Sequence, residues 1–289
     1  MKVCAACGSV FSGEDWMCPH CKCTVQTVGG HLAFAPNLAA QSEGFHPRYF
    51  QELATLEARN FWFRARNRLI VWVLQRYFPN ARTLLEIGCG TGFVLAGIAK
   101  ATTSIRLSGS EIFSEGLVFA ANRAAGAELF QMDARCIPFE NEFDVIGAFD
   151  VLEHIEEDEV VLSQMYRAAT SGGGIILTVP QHEFLWSQQD VHACHVRRYE
   201  ARDLVRKVEG AGFTVERTTS FVSLLLPLMY LSRRRKREGG RKVDPMDELR
   251  IGAFANMLLE AVLDLERAFI RLGGRFPAGG SLLLIARKK

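Results

Sequence analysis

No stretch of this sequence reaches the roughly 18 consecutive apolar residues that a bilayer-spanning helix requires, and none of signal-peptide length opens it. Both absences lead to the expectation of a cytoplasmic chain, in surroundings that keep thiols reduced. Charge of one sign is also missing. Lys and Arg number 34 against 32 Asp and Glu, a formal net charge of +2 with a pI near 8.1. That is no footprint of a dedicated nucleic-acid binder, so only a local basic patch could serve as one. There is no internal repeat and no low-complexity tract. Disorder is not the default either, since 48% hydrophobic and 23% charged residues is an ordinary globular balance.

What is present begins with cysteine. In a reducing compartment the eight cysteines read as metal ligands or buried thiols rather than disulfides. Four of them form Cys4-x-x-Cys7 and Cys18-x-x-Cys21, each pair spanning one tight turn, with Gly8 after the first and Pro19 inside the second. Two such turns converge four thiolates on one tetrahedral point, which suits a structural Zn²⁺. So short a segment buries too little core to fold alone, and the metal would supply its folding energy. His20 and Cys23 are spare candidates at poorer spacing. The knuckle either braces the chain or recognises substrate, RNA included. Its few basic residues favour bracing. The expected division is a zinc knuckle over 1–27, a linker over 28–47, and an α/β domain over 48–289 carrying a helical insertion at 220–275.

A helical pattern runs from Arg48 through Phe50, Leu53, Leu56 and Phe61-Trp62-Phe63 to Tyr77, with Pro79 beyond it. Next, Leu84-Leu85-Glu86-Ile87 reads as a buried strand, Gly88-Cys89-Gly90-Thr91-Gly92 as a turn, and Phe93–Lys100 as a helix. That is the nucleotide-binding arrangement of a doubly wound fold. A dinucleotide fingerprint would need Gly or Ala where Phe93 stands. The pattern here is instead E-x-G-x-G-x-G. A second strand, Ile105–Glu111, ends in an acid able to accept both hydroxyls of a ribose. A third, Ala127–Met132, exits at Asp133, and a fourth runs from Asp144 to Asp150.

From Glu86 to Pro180 the order and spacing of these features resemble the class I S-adenosylmethionine-dependent methyltransferases. The resemblance implies a doubly wound, mostly parallel sheet of seven strands with the last antiparallel. It also implies a cofactor held by Glu86, Gly88, Cys89, Gly90 and Gly92, by Glu111 and Ile112 at the ribose, by Asp133 and Ala134 at the adenine, and by Asp150 and Val151. S-adenosylmethionine carries a sulfonium and a cationic amino-acid tail, which favour nearby carboxylates. Ligands bind outside the carboxyl ends of such strands, so Asp150, Glu153 and His154 should lie near the reactive methyl. A hydroxyl or amine acceptor must lose a proton, and a histidine titrates in the right range for that work. His154 is the first candidate and His195 the second. The alternative for His154 is packing beside the cofactor.

A helix over Glu156–Thr170, broken by Gly172-Gly173-Gly174, and a fifth strand over Ile175–Pro180 lead into a long loop. Its His195-x-Arg197-Arg198-Tyr199 cluster, with an upstream Glu57-x-x-Asn60-Phe61-Trp62-Phe63-x-x-Arg66, resembles a bacterial subgroup of this family. His192, Arg197, Arg198 and Tyr199 are the candidate substrate contacts, suited to a phosphate, carboxylate or sugar phosphate. The other reading is that the two arginines anchor the loop.

Glu200–Gly210 reads as a helix, Phe213–Glu216 as the sixth strand and Ser281–Ala286 as the seventh. Between them, Phe221–Leu231 is apolar and Arg233-Arg234-Arg235-Lys236-Arg237 follows at once. Residues 221–237 therefore suit either contact with an anionic membrane surface or a helix buried against the sheet. Asp244-Pro245 suits a helix start, and Phe254, Leu258, Ala261, Leu265, Phe269 and Leu272 recur as a packing face. The expected activity is methyl transfer to oxygen or nitrogen of a small-molecule or lipid-linked acceptor. A ribosomal or transfer RNA methyltransferase is the alternative, with nucleic acid the weaker candidate partner.

Overall fold

The structure, a computed structural model, describes residues 1–13, 15–40, 49–238 and 250–289, with the side chains of 234–238 outside that description. In chain order the strands are β1 (Lys2–Val3), β2 (Val10–Phe11), β3 (Gln26–Val28) and β4 (His31–Ala33). Helices α1 (Tyr49–Leu56) and α2 (Phe61–Tyr77) lead into β5 (Thr83–Ile87), α3 (Phe93–Ala101), β6 (Arg106–Glu111), α4 (Ser114–Arg123), β7 (Glu128–Gln131) and β8 (Phe143–Phe149). Then come α5 (Asp158–Ala168), β9 (Ala169–Pro180), α6 (Gln188–His192), α7 (Ala201–Gly210), β10 (Thr214–Phe221), α8 (Leu226–Glu238), α9 (Ala253–Arg271) and β11 (Ser281–Arg287). Arg48 and Asp244-Pro245, expected as helix starts, lie outside the described residues.

The main sheet has the order β10-β11-β9-β8-β5-β6-β7-β4-β3. All seven expected strands are there. Strands β9, β8, β5, β6 and β7 are parallel, and β11 inserts antiparallel between β9 and β10. The count rises to nine because β3 and β4 form a hairpin whose second strand pairs in parallel with β7, Leu32 opposite Phe130 and Ala33 opposite Gln131. The expectation of a linker over 28–47 is corrected for 28–40. An unpaired β7 edge would leave a row of open backbone donors and acceptors, and the hairpin covers it. Residues 41–48 of that linker lie outside the description.

Alternation along each strand sends successive side chains to opposite faces. Leu84, Leu107, Val145, Ile176 and Leu283 join the core under α2, α3 and α9, while Leu85, Phe130, Ile146, Ile175 and Leu284 join the one under α5 and α7. The first cysteine turn is tied to the sheet by a hydrogen bond from Val3 N to Pro138 O of 2.9 Å, and Trp16 packs edge-on to Phe34 and Phe139 at 4.5 and 5.5 Å.

Two boundaries differ from expectation. The glycine triplet does not end a helix. Helix α5 stops at Ala168, and β9 runs on through Gly172-Gly173-Gly174, where Gly172 N donates to Lys288 O and Lys288 N to Gly173 O. The apolar run 221–231 divides at Val222, whose φ of 61° ends β10 before α8 begins.

The face expected of the long helix is also corrected. On α9 the buried residues are Asn256, Leu263, Glu266 and Ile270, while Phe254, Leu265 and Leu272 are 72%, 66% and 88% exposed. Polar bonds turn the helix this way round. Asn256 Oδ1 accepts from Phe61 N at 2.7 Å, and Glu266 Oε2 accepts from Ser223 N and Leu224 N at 2.8 and 2.9 Å. Arg64 and Arg68 of α2 pair with Glu260 and Asp264 on its flank.

Candidate active site

The turn between β5 and α3 is built on left-handed glycines. Gly88 has φ 64°, and a Cβ there would stand 2.5 Å from a methyl of Val151. Gly92, the N-cap of α3, has φ 75°, and its Cβ would meet the Ala120 Cα at 2.8 Å. A side chain at either position would meet both backbone strain and collision. Cys89 is buried in the turn, and its N donates to Ser110 O at 2.8 Å, which holds the turn against β6.

Carboxylates gather around this turn. Glu86 is 2% exposed, its Oε2 has no hydrogen-bond partner, and burial pushes its pKa up to about 8 against the pull of Arg66. Glu111 accepts from Gly90 N at 3.0 Å and Ile112 N at 2.8 Å; burial raises it as well. Its carboxylate thus lies in the mouth of the glycine turn. Asp133 sits at the exit of β7, followed by buried Ala134, and is held by Arg135 through bonds of 2.8–3.1 Å. Asp150, at φ 59°, pairs with Arg66 of α2, and Val151 seals the underside of Gly88.

Residues that sequence reasoning left without a role complete this cleft. Arg66 is buried against the Trp62 ring at 4.4 Å and faces Glu86, Glu57 and Glu153. Glu57 accepts from Thr91 Oγ1 at 2.6 Å and pairs with Arg123, so the segment after α1 grips the glycine turn and α4 together. Phe50 lies over Gly90. The Glu57-to-Arg66 spacing was the available signal, since it marked the segment without saying what it touched.

Beyond Asp150 the chain makes a single 3-10 turn, Leu152–His154, and the long loop folds back on it through Val196 N donating to Glu153 O at 2.7 Å. This brings the two candidate catalytic histidines together, with ring centroids 4.7 Å apart. Burial, helped by His195, pushes His154 down to about 3, so it is neutral. His195 is oriented by Asp190, whose Oδ1 lies 2.9 Å from Nδ1. Asp190 is a residue the sequence reading missed. Burial alone would raise it, but His195 and Arg198 hold it well below the usual carboxylate range. The Ser187-x-x-Asp190 capping box was its only local trace.

The substrate-facing role expected for the arginine cluster is corrected. Arg198 is buried and bonds Asp190 at 2.7 and 2.8 Å and Gln181 O at 3.1 Å. Tyr199 is 1% exposed and donates to Asp158 Oδ2 at 2.7 Å. Arg197 pairs with Asp158 at 2.6 Å and donates to Glu156 O at 3.0 Å. These groups anchor the loop because a buried charge must find its counter-charge inside. His192 is exposed on α6.

At the N-terminus the expected ligands converge. Cys4 and Cys21 Sγ are 3.6 Å apart and Cys7 and Cys18 Sγ 3.7 Å. Thiolates on one tetrahedral Zn²⁺ stand about 3.8 Å apart, so this donor set fits that ion. A cavity of about 500 Å³ lies elsewhere, at the amino ends of the strands among Tyr77, Asp144, Gly172 and Arg287. Ligands of open α/β sheets sit at the opposite ends, so that cavity is not the nucleotide crevice.

A family described as a methyltransferase domain matches residues 56–218. A protein of Mycolicibacterium smegmatis (strain ATCC 700084 / mc(2)155) described as a "probable S-adenosylmethionine-dependent methyltransferase" is 25% identical over 169 residues, 56% of this chain and 63% of its own. Ajmaline N-methyltransferase of Rauvolfia serpentina is 29% identical over 158 residues, 51% of each chain. The chain thus spans less than two thirds of the length of these curated relatives. Among solved structures, Haemonchus contortus phosphoethanolamine N-methyltransferase 2 in complex with S-adenosyl-L-methionine superposes with a TM-score of 0.51 at 18% identity, over 77% of this chain and 52% of that one. The [4+2]-cyclase SpnF superposes at 0.53 and 19% identity, over 78% and 83%. At such identities the likeness is one of fold, and this fold hosts more than one reaction.

Proposed function

The chain belongs to the class I S-adenosylmethionine-dependent methyltransferases, and on that footing we propose that it carries a methyl group to an oxygen or nitrogen of a small-molecule or lipid-linked acceptor. The observation that carries this reading is Glu86, a fully buried carboxylate with an unpartnered oxygen beside the glycine turn. That site suits the cationic tail of S-adenosylmethionine, which would ionise the carboxyl, and offers no positive charge to the pyrophosphate of a dinucleotide. Glu111 would hold the ribose, Asp133 and Ala134 the adenine, and Arg66 and Asp150 would order the amino-acid end.

When bound, the cofactor supplies an already activated methyl, so the chain's work is alignment and exclusion of water. The acceptor would have to give up a proton as it takes the methyl, and receiving that proton would be the part left to the chain. His154 and His195 are the residues we place against the acceptor. His154 offers a lone pair because burial keeps it neutral, and His195 is aligned by Asp190. The test is incubation with methyl-labelled cofactor and fractionated extract. Label is expected in small molecules or lipid. Label in RNA would favour the alternative, and no transfer to any fraction would sink the reading.

The knuckle at Cys4, Cys7, Cys18 and Cys21 holds a structural Zn²⁺ in this proposal, and the chain is a cytoplasmic enzyme that touches anionic membrane through 221–237. Among the described residues no helix is long and apolar enough to cross a membrane. Leu228 and Leu231 of α8 are 56% and 54% exposed, and the outward stripe of α9 adds Phe254 and Leu265. The basic run Arg234-Arg235-Lys236-Arg237 follows in sequence, its side chains outside the description. An apolar face next to such a run suits an anionic lipid surface. In flotation with anionic vesicles the protein should rise with the lipid, less so at high salt. Phe254→Asp with Leu265→Asp should weaken the association about tenfold or more, as each buried side chain of this size contributes about 1.5–3 kcal/mol. Equal flotation of both forms, or none of either, would end the membrane proposal.

A further inference from the structure

Three metal-ligating side chains meet just past β8. Glu153 is fully buried, and neither of its carboxylate oxygens has a hydrogen-bond partner. His154 Nδ1 is buried and equally without one. His195 presents Nε2 at 4.0 Å from Glu153 Oε1. One ligand atom from each of the three lies within 4.8 Å of the others. We propose that Glu153, His154 and His195 hold a divalent transition-metal cation that seats an acceptor oxygen beside the methyl donor; its role, though not its binding, rests on the methyltransferase reading.

The surroundings are those of a ligand set. A buried carboxylate without hydrogen bonds is costly to leave uncompensated. Arg66 and Arg198 act on it at longer range, but both are already engaged, by Asp150 and Asp190. A cation bonded at about 2.1 Å to nitrogen and oxygen would draw the three atoms together by about an ångström. The second shell is in place. Asp190 Oδ1 takes Nδ1 of His195, which leaves Nε2 for the metal. Asp190 is in turn fixed by Arg198, by Ser187 N at 2.8 Å and by Ser187 Oγ at 3.1 Å. Two imidazoles and one carboxylate favour Zn²⁺, Mn²⁺, Fe²⁺ or Co²⁺ over Mg²⁺ or Ca²⁺. Three protein ligands leave coordination positions open, as in catalytic rather than structural sites. With His154 and His195 engaged by the cation instead of by the acceptor's proton, an acceptor hydroxyl bound there would release that proton to solvent near neutral pH, and its oxygen lone pair would then form the bond to the methyl carbon as the carbon–sulfur bond breaks.

Co²⁺ titration tests the site in protein whose cysteine knuckle is already loaded with zinc. One further equivalent is expected, with visible d–d absorption and no thiolate charge-transfer band. Glu153→Gln and His195→Gln should each abolish it. Asp190→Asn, a change at a positioning residue, should weaken it about 10- to 100-fold. A thermal shift with S-adenosylmethionine marks each variant as folded. If a variant fails that check, the wild-type titration with and without Cys18→Ser decides, since the d–d signal must survive loss of the knuckle. The proposal is overturned if the wild type takes no cation beyond the knuckle, or if the folded glutamine variants still take it. A bound cation without methyl transfer would remove the methyltransferase reading alone; transfer without a cation would remove the cation alone.

Discussion

Affinity for S-adenosylmethionine is expected to climb by as much as about tenfold per pH unit up to pH 8, and to lose that slope in Glu86→Gln. The free protein holds Glu86 protonated to about pH 8, because burial outweighs the pull of Arg66. Glu57 and Glu111, the other charged groups facing it, oppose ionisation further. A cationic tail placed beside Glu86 ionises it, so binding below pH 8 releases a proton and is favoured by raising the pH. Above about 8 the cofactor's own α-amine begins to discharge, and affinity should fall in both proteins. Stability runs the other way. Between about 4.5 and 8 the folded chain binds a proton that the unfolded chain has lost, so Glu86 makes the free protein less stable as pH rises through that window. Calorimetric titration from pH 5.5 to 8.5, with thermal melts of the free protein, reads both slopes. A flat wild-type profile below 8, or an unchanged slope in Glu86→Gln, would falsify the assignment of the cationic tail to this carboxylate.

The other large effect belongs to the knuckle. Cys4→Ser with Cys18→Ser should release one equivalent of zinc and lower the melting temperature by roughly 5–15 °C. Structural zinc supplies most of the folding free energy of so small a unit, so its loss should unfold the first two dozen residues or so. The damage then spreads. Trp16 no longer covers Phe34 and Phe139, and the β3–β4 hairpin loses the packing that holds it on the β7 edge. Uncovering such side chains costs a few kcal/mol, and a domain of this size shifts by about 2–4 °C per kcal/mol. Full zinc content in the double variant, or an unmoved melt, would show that the four thiols do not hold a metal that matters to the fold.

The parts of this molecule that were legible in the sequence are those set by neighbouring residues. The glycine turn, the seven strands around it and the acids at three strand exits all follow from short-range pattern. Strands β3 and β4 were not legible because three residues carry no alternation to read, and their existence depends on an edge a hundred residues away. The period of α9 was correct and its inward face was not. Spacing reports that a stripe exists. Here Asn256 and Glu266 found backbone donors at Phe61, Ser223 and Leu224, and they faced inward at the expense of Phe254 and Leu265. The loop arginines failed for a related reason. Arg198 and Tyr199 read as a binding pocket until their counter-charges, Asp190 and Asp158, were found inside the protein.

The placing of β11 has a bearing on synthesis. It lies between β9 and β10 with Leu282–Ala286 buried, yet residues 181–280 separate it from the end of β9. On the ribosome, β9 therefore emerges with one flank open and must wait for its neighbour until residues 181–280 and then β11 have been made. Through that interval the nascent protein carries an unsealed apolar edge, and a holding chaperone has most to offer while it lasts.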